Sequence, residues 1–164
     1  MNFYSKLILS FVILLLAPGC ISNIFKEPKP TFSKNVVLPE FSSSFNQLSD
    51  NVYPAWKSNA TGNVITMVSD CNEGSFNLKT IHGLMSDSLD NVKVIEEKST
   101  TLNKRKSYFK KVRGEVDGKA IEIQSYSVQH LKCTYVTSLA GSPQKIELNQ
   151  SDFKSFLQKI DFKK

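Results

Sequence analysis

The sequence is poor in histidine, cysteine and glycine. It has two histidines and three cysteines, and seven glycines. No H-E-x-x-H, G-x-S-x-G or G-x-G-x-x-G pattern and no Walker loop occurs, so no zincin, serine-hydrolase elbow or nucleotide cradle is indicated. Six prolines and seven glycines are too few for a fibrous or wholly disordered chain. No apolar run approaches the roughly twenty residues that a helix needs to span a bilayer. Acids are also in deficit: 15 Asp and Glu face 21 Lys and Arg, leaving +6 over 164 residues. That length supports one ordinary domain.

What is present starts at the N-terminus. Residues 1–6 are short and carry Lys6. Residues 7–17 are apolar except for Ser10, and Ala17, Pro18, Gly19 and Cys20 follow. A positive start, a short apolar middle and small residues describe a secretory signal peptide, here residues 1–19.

Leu15-Leu16-Ala17-Pro18-Gly19-Cys20 resembles the lipobox of bacterial lipoprotein precursors. The resemblance implies diacylglyceryl transfer to the Cys20 sulfur, cleavage after Gly19 and often acylation of the new amino group. One acyl chain holds a protein marginally, while two or more anchor it stably at about 0.8 kcal/mol per buried CH2. The residue after the cysteine is Ile21, not Asp, which in this family favours the outer membrane over the inner.

With Cys20 lipidated, Cys71 and Cys133 remain. An exported chain meets an oxidising compartment, so a disulfide is the expected state. The competing reading is a metal site from Cys71, His130 and Cys133. It has only one close ligand pair where closed zinc sites usually have two.

Residues 20–50 contain Pro28, Pro30, Pro39 and the run Ser42-Ser43-Ser44. They read as a lipidated N-terminus and flexible tether. About 30 residues of flexible chain span roughly 30 Å. Residues 36–38 and 41–45 carry apolar side chains that would suit packing on the domain, so the boundary stays open. The domain is expected over 51–164.

Within it, Val64-Ile65-Thr66-Met67-Val68 reads as a strand covered on both faces. A helix is expected from Ser75 to about Leu89, with Leu78, Ile81, Met85 and Leu89 on one stripe. Lys93 to about Leu102 reads as a weaker strand. Val116-Asp117-Gly118-Lys119 is a hairpin turn, because Asp-Gly tolerates the positive φ of a type I′ loop. A strand is expected to place Leu131, Cys133, Tyr135 and Leu139 on one face. A final helix, capped by Asn149 or Ser151, carries Phe153, Phe156, Leu157 and Ile160. The expected class is α+β: an antiparallel-rich sheet with two helices packed on it.

Residues 63–161 resemble the PsbP-like α+β domains, including small DcrB-type bacterial lipoproteins. The likeness is carried by Trp56 ahead of the first strand, Ile65-Thr66-Met67-Val68-Ser69-Asp70-Cys71, Gly114-Glu115-Val116-Asp117-Gly118-Lys119, Cys133-Thr134-Tyr135-Val136 and the closing helix. It implies an accessory or binding module without catalysis or cofactor.

Candidate chemistry is sparse. His82 and His130 stand outside any motif. Glu96 and Glu97 are neighbours, which a strand would point to opposite faces. Lys104, Arg105, Lys106, Lys110, Lys111 and Arg113 form a basic cluster with Tyr108 and Phe109 between them. On a strand, Arg105, Lys111 and Arg113 share a face and would attract anionic envelope components. The alternative is a solvated hairpin whose lysines protect a sheet edge. Nucleic acid is disfavoured by the compartment. Trp56, with Tyr53 nearby, reads as buried against the sheet rather than lining a pocket. The expected function is a non-catalytic, lipid-anchored envelope protein that binds an envelope protein or anionic component. The alternatives are a hydrolase whose site assembles only in the fold, and a structural lipoprotein using the basic hairpin.

Overall fold

The computed structural model describes residues 32–41, 44–49, 51–71 and 77–163. The signal segment, the lipobox and Ser75 lie outside them. Nine strands are described: β1 (Val36–Val37), β2 (Phe45–Gln47), β3 (Ala55–Ser58), β4 (Val64–Asp70), β5 (Asp90–Leu102), β6 (Arg105–Val116), β7 (Lys119–His130), β8 (Cys133–Gly141) and β9 (Asp161–Phe162). Two α-helices accompany them, α1 (Gly83–Ser86) and α2 (Gln150–Lys159).

Seven strands form one antiparallel sheet in the order β2-β3-β4-β8-β7-β6-β5. The remaining pair, β1 and β9, makes a short antiparallel ribbon with Val36 opposite Phe162. This is the expected α+β class. None of the helices among the described residues is long and apolar enough to cross a membrane.

Hairpin chemistry sets the register of the long strands. Asp117 and Gly118 take φ of 51° and 71°, and Val116 pairs with Lys119. Asn103 and Lys104, at 47° and 64°, close the β5–β6 hairpin in the same way. Leu131 closes β7–β8 at φ 54°, where a bulky side chain is disfavoured. It is 65% exposed, so it leaves the inward face expected for it and sits in the turn.

The central strands carry side chains buried on both faces. In β4, Ile65 and Met67 point to one side and Val68 to the other. The first side packs Tyr135, Leu139, Phe153, Phe156 and Leu157 beneath α2. Asn149 occupies the N-cap position of α2. Its side chain is held in a polar knot: it accepts from Thr61 Oγ1 at 2.6 Å and Asn63 Nδ2 at 2.8 Å, and donates to Asp152 at 2.9 Å.

The expected helix from Ser75 to Leu89 is much shorter. A 3-10 turn, Thr80–His82, leads into the four residues of α1. Asn77 Oδ1 accepts the backbone N–H groups of Lys79 and Thr80, both at 2.9 Å, which begins the turn there. The chain must then cross tightly over β6: a Cβ at Gly114 would meet Asp90 O at 2.8 Å. Ile81 is buried, but Leu84 is 47% exposed.

The described part of the expected tether is packed. β2 pairs with β3, and Phe41 stacks on Phe156 at 4.8 Å and against Trp56 at 5.3 Å. The folded domain therefore reaches back before Asn51, at least to Phe32, whose side chain lies against the core. Trp56 is buried in that aromatic group.

Candidate functional site

Three places gather polar side chains. The first is the basic hairpin. Because β6 and β7 pair residue for residue, Arg113 lies directly opposite Glu122 and Lys111 opposite Gln124. Arg113 Nε donates to Glu122 Oε2 at 2.6 Å, and Lys111 Nζ lies 2.8 Å from Oε1. Gln124 Nε2 donates to the same carboxylate at 3.0 Å. Glu122 is 1% exposed. Burial alone would raise its pKa, but the bonds from Lys111, Arg113 and Gln124 outweigh burial and hold the carboxyl below its ordinary value. Lys111 also lies 3.6 Å from Glu147.

Lys111 and Arg113 thus come together around a buried acid. Arg105 does not join them. It sits over the Phe162 ring at 5.3 Å, about 20 Å from Lys111 and about 26 Å from Arg113 along the strand. The expected three-residue face is split into a neutralised cluster and a separate cation–π contact.

The second place is His82, on the opposite face. It is 1% exposed and packed against β7. Ser127 Oγ donates to Leu78 O at 2.5 Å, so at Ser127 the imidazole must be the donor, from Nε2 at 3.1 Å. Nδ1 then accepts from Ser125 Oγ at 2.6 Å, which has Lys110 O as a second acceptor at 3.2 Å. Desolvation, helped by the nearby Lys110 charge, lowers the His82 pKa to about 4. Serine and histidine do meet here, but each polar atom is spent on a buried neighbour. The chain also holds Ser-x-x-Lys spacings, including Ser107 and Lys110 on β6. Strand alternation separates those two side chains, and Ser107 donates to Ser127 O at 2.6 Å.

The third place is an open cleft of about 760 Å3 beside His82, lined by Leu78, Lys79, Thr100, Lys106, Tyr108 and Gln129. Lys79 Nζ pairs with Glu97 at 3.1 Å and lies 5.9 Å from the centre of the Tyr108 ring. Partial desolvation and the Glu97 carboxylate raise the Tyr108 pKa. This surface combines an aromatic ring, two ammonium groups and hydroxyls that solvent reaches.

Cys71 and Cys133 form a disulfide with Cα atoms 4.1 Å apart. The register explains it: Asp70 faces Thr134, so the next residue of the chain faces Cys133. The bond occupies both sulfurs that the metal reading needed, and His130 donates from Nε2 to Lys163 O at 2.5 Å. Among the described residues no group of three His, Cys, Asp or Glu side chains is placed to hold a metal.

Sequence patterns gave no warning of a buried His82. Glu122 was within reach, because a two-residue turn at Asp117-Gly118 already places it opposite Arg113.

No family model and no curated protein sequence matches the chain. Solved structures do. LpqN of Mycobacterium tuberculosis, involved in cell envelope biogenesis, superposes with a TM-score of 0.57 at 10% identity, over 79% of this chain and 83% of that one. The PsbP protein CyanoP of Synechocystis sp. PCC 6803 gives 0.56 at 6%, over 88% and 98%. PA94 of Pseudomonas aeruginosa, a protein of unknown function and candidate regulator, gives 0.55 at 11%, over 68% and 83%. Likeness at this identity defines the fold, which is PsbP-like.

Proposed function

We propose that this chain is a lipid-anchored, non-catalytic protein of the cell envelope whose sheet domain is a binding module. Cys20 is its attachment point, and the outer membrane is its destination. The cleft between Lys79, Lys106 and Tyr108 is its binding surface for an envelope protein or an anionic envelope component. The observation carrying the reading is the contrast between these sites. The Ser125–His82–Ser127 group is consumed by buried hydrogen bonds, whereas the Tyr108 cleft presents aromatic and cationic groups to solvent. The lipobox supports the anchor. The structural neighbour LpqN, involved in cell envelope biogenesis, supports the compartment.

Two measurements test this. Cys20→Ser is expected to abolish palmitate incorporation and release the protein from the membrane fraction; unchanged fractionation and N-terminal mass would overturn the anchor. A photo-cross-linking residue at Lys106 is expected to trap an envelope component in cells, and one at Lys57 is not. Equal trapping at the two positions would overturn the cleft.

A further inference from the structure

We propose that β5 pairs antiparallel with β5 of a second copy of this chain, so that one sheet runs through two molecules. β5 is the terminal strand of the sheet, and among the described residues no strand pairs with its outer edge. It is 13 residues long, and residues 90–99 are exposed on both faces. Val92, Val94 and Ile95, in its middle, are 43%, 52% and 48% exposed. A long edge with branched aliphatics at its centre is a template for another strand.

Charge selects the partner. Pairing with β6 sets which way each side chain of β5 points, through two bulges. Asp90, Lys93, Glu96 and Lys98 lie opposite Glu115, Arg113, Lys111 and Phe109, so they share one face; Val94, opposite Val112, takes the other. Counted in the positions of β6, where the bulge sets Ile95 out of the ladder, a two-fold axis through Val94, normal to the sheet, puts Lys93 opposite Glu96 of the copy and Lys98 opposite Asp90. The symmetry repeats both pairs, giving four cross-strand ion pairs around a Val94–Val94 contact. Axes through Glu97 or Lys98 would instead oppose like charges. Lysines on an edge repel unselected strands, and a strand offering acids in this register accepts them. The exposed Lys98–Glu96 pair, 2.6 Å apart within one molecule, exchanges for contacts between molecules. Glu97 keeps its bond to Lys79 throughout.

The test uses the full chain carrying Val94→Cys under mild oxidation. Opposed Cα atoms in such a ladder are about 4.5–5.5 Å apart, within disulfide reach. Val94→Cys should give a linked dimer of this chain as the main product on a non-reducing gel, and Lys57→Cys, on the far side of the sheet, only a trace. Adding Lys93→Glu should suppress the dimer, and adding Glu96→Lys to that variant should restore it. Equal yields at 94 and 57, a product with a different protein, or a Lys93→Glu loss that the charge swap leaves unrepaired would each overturn the proposal.

Discussion

The two faces of the central sheet are built by different means. Beneath α2, Tyr135, Phe153, Phe156, Ile65 and Met67 form a continuous aromatic and aliphatic core. Across the sheet, beneath α1, the apolar cluster shrinks to Val68, Ile81 and Val136. His82, Ser125, Ser127 and Ser138 are buried around it. The first face draws its energy from area removed from water, which tolerates small displacements. The second depends on hydrogen bonds, each of which leaves a costly unpaired group when broken. The apolar face should therefore carry most of the stability. The polar face should carry the pH dependence set by His82 and borders the proposed binding cleft.

The largest break in this contrast is expected from Phe156→Ala. That side chain stacks on Phe41 and meets Trp56 edge-on at 5.1 Å, and its loss should cost about 4–5 kcal/mol in chemical denaturation. Replacing Cys71 and Cys133 together by serine opens a cross-link spanning 62 residues. The chain-entropy model then predicts a loss of about 4 kcal/mol, measured against the oxidised parent.

His82 tests the polar face directly. It is neutral in the fold down to a pKa of about 4, while in the unfolded chain it protonates near its ordinary 6.5. Between those values the unfolded state holds the extra proton, so stability falls as pH falls across the window, by about 3 kcal/mol. His82→Gln should flatten the denaturation midpoint over that range. Glu122 works lower on the scale. Its folded pKa is depressed, so its contribution is present above the unfolded carboxylate value and is lost as pH falls through the lower folded one. Glu122→Ala should cost about 2 kcal/mol at neutral pH, less than a fully buried pair, because Arg113 is half exposed and can turn to water. The smallest effect is expected from Gly118→Ala, about 1 kcal/mol, from a φ of 71° that suits glycine.

Much of the α+β framework was legible. The apolar run from Val64 to Val68, the Asp117-Gly118 turn and the Phe153–Phe156–Leu157 stripe each map onto β4, the β6–β7 hairpin and α2. These are local signals, in which period and turn chemistry act within a few residues. The stripe from Leu78 to Leu89 misled, because helical spacing is present but Asn77 starts the turn late and the crossing at Gly114 ends it early. The basic patch misled differently. Shared strand parity correctly put Arg105, Lys111 and Arg113 on one side, but parity carries no information about which acid the neighbouring strand brings to them.

By itself, then, the chain dictated its long strands from β4 to β8, its closing helix and its tightest turn, since each follows from residues close in sequence. Folding alone decided that His82 is buried and neutral, that Glu122 claims Lys111 and Arg113, and that residues near Phe41 complete the core. Those outcomes depend on contacts between segments far apart along the polypeptide, where burial and partner charge, not local pattern, set the energy.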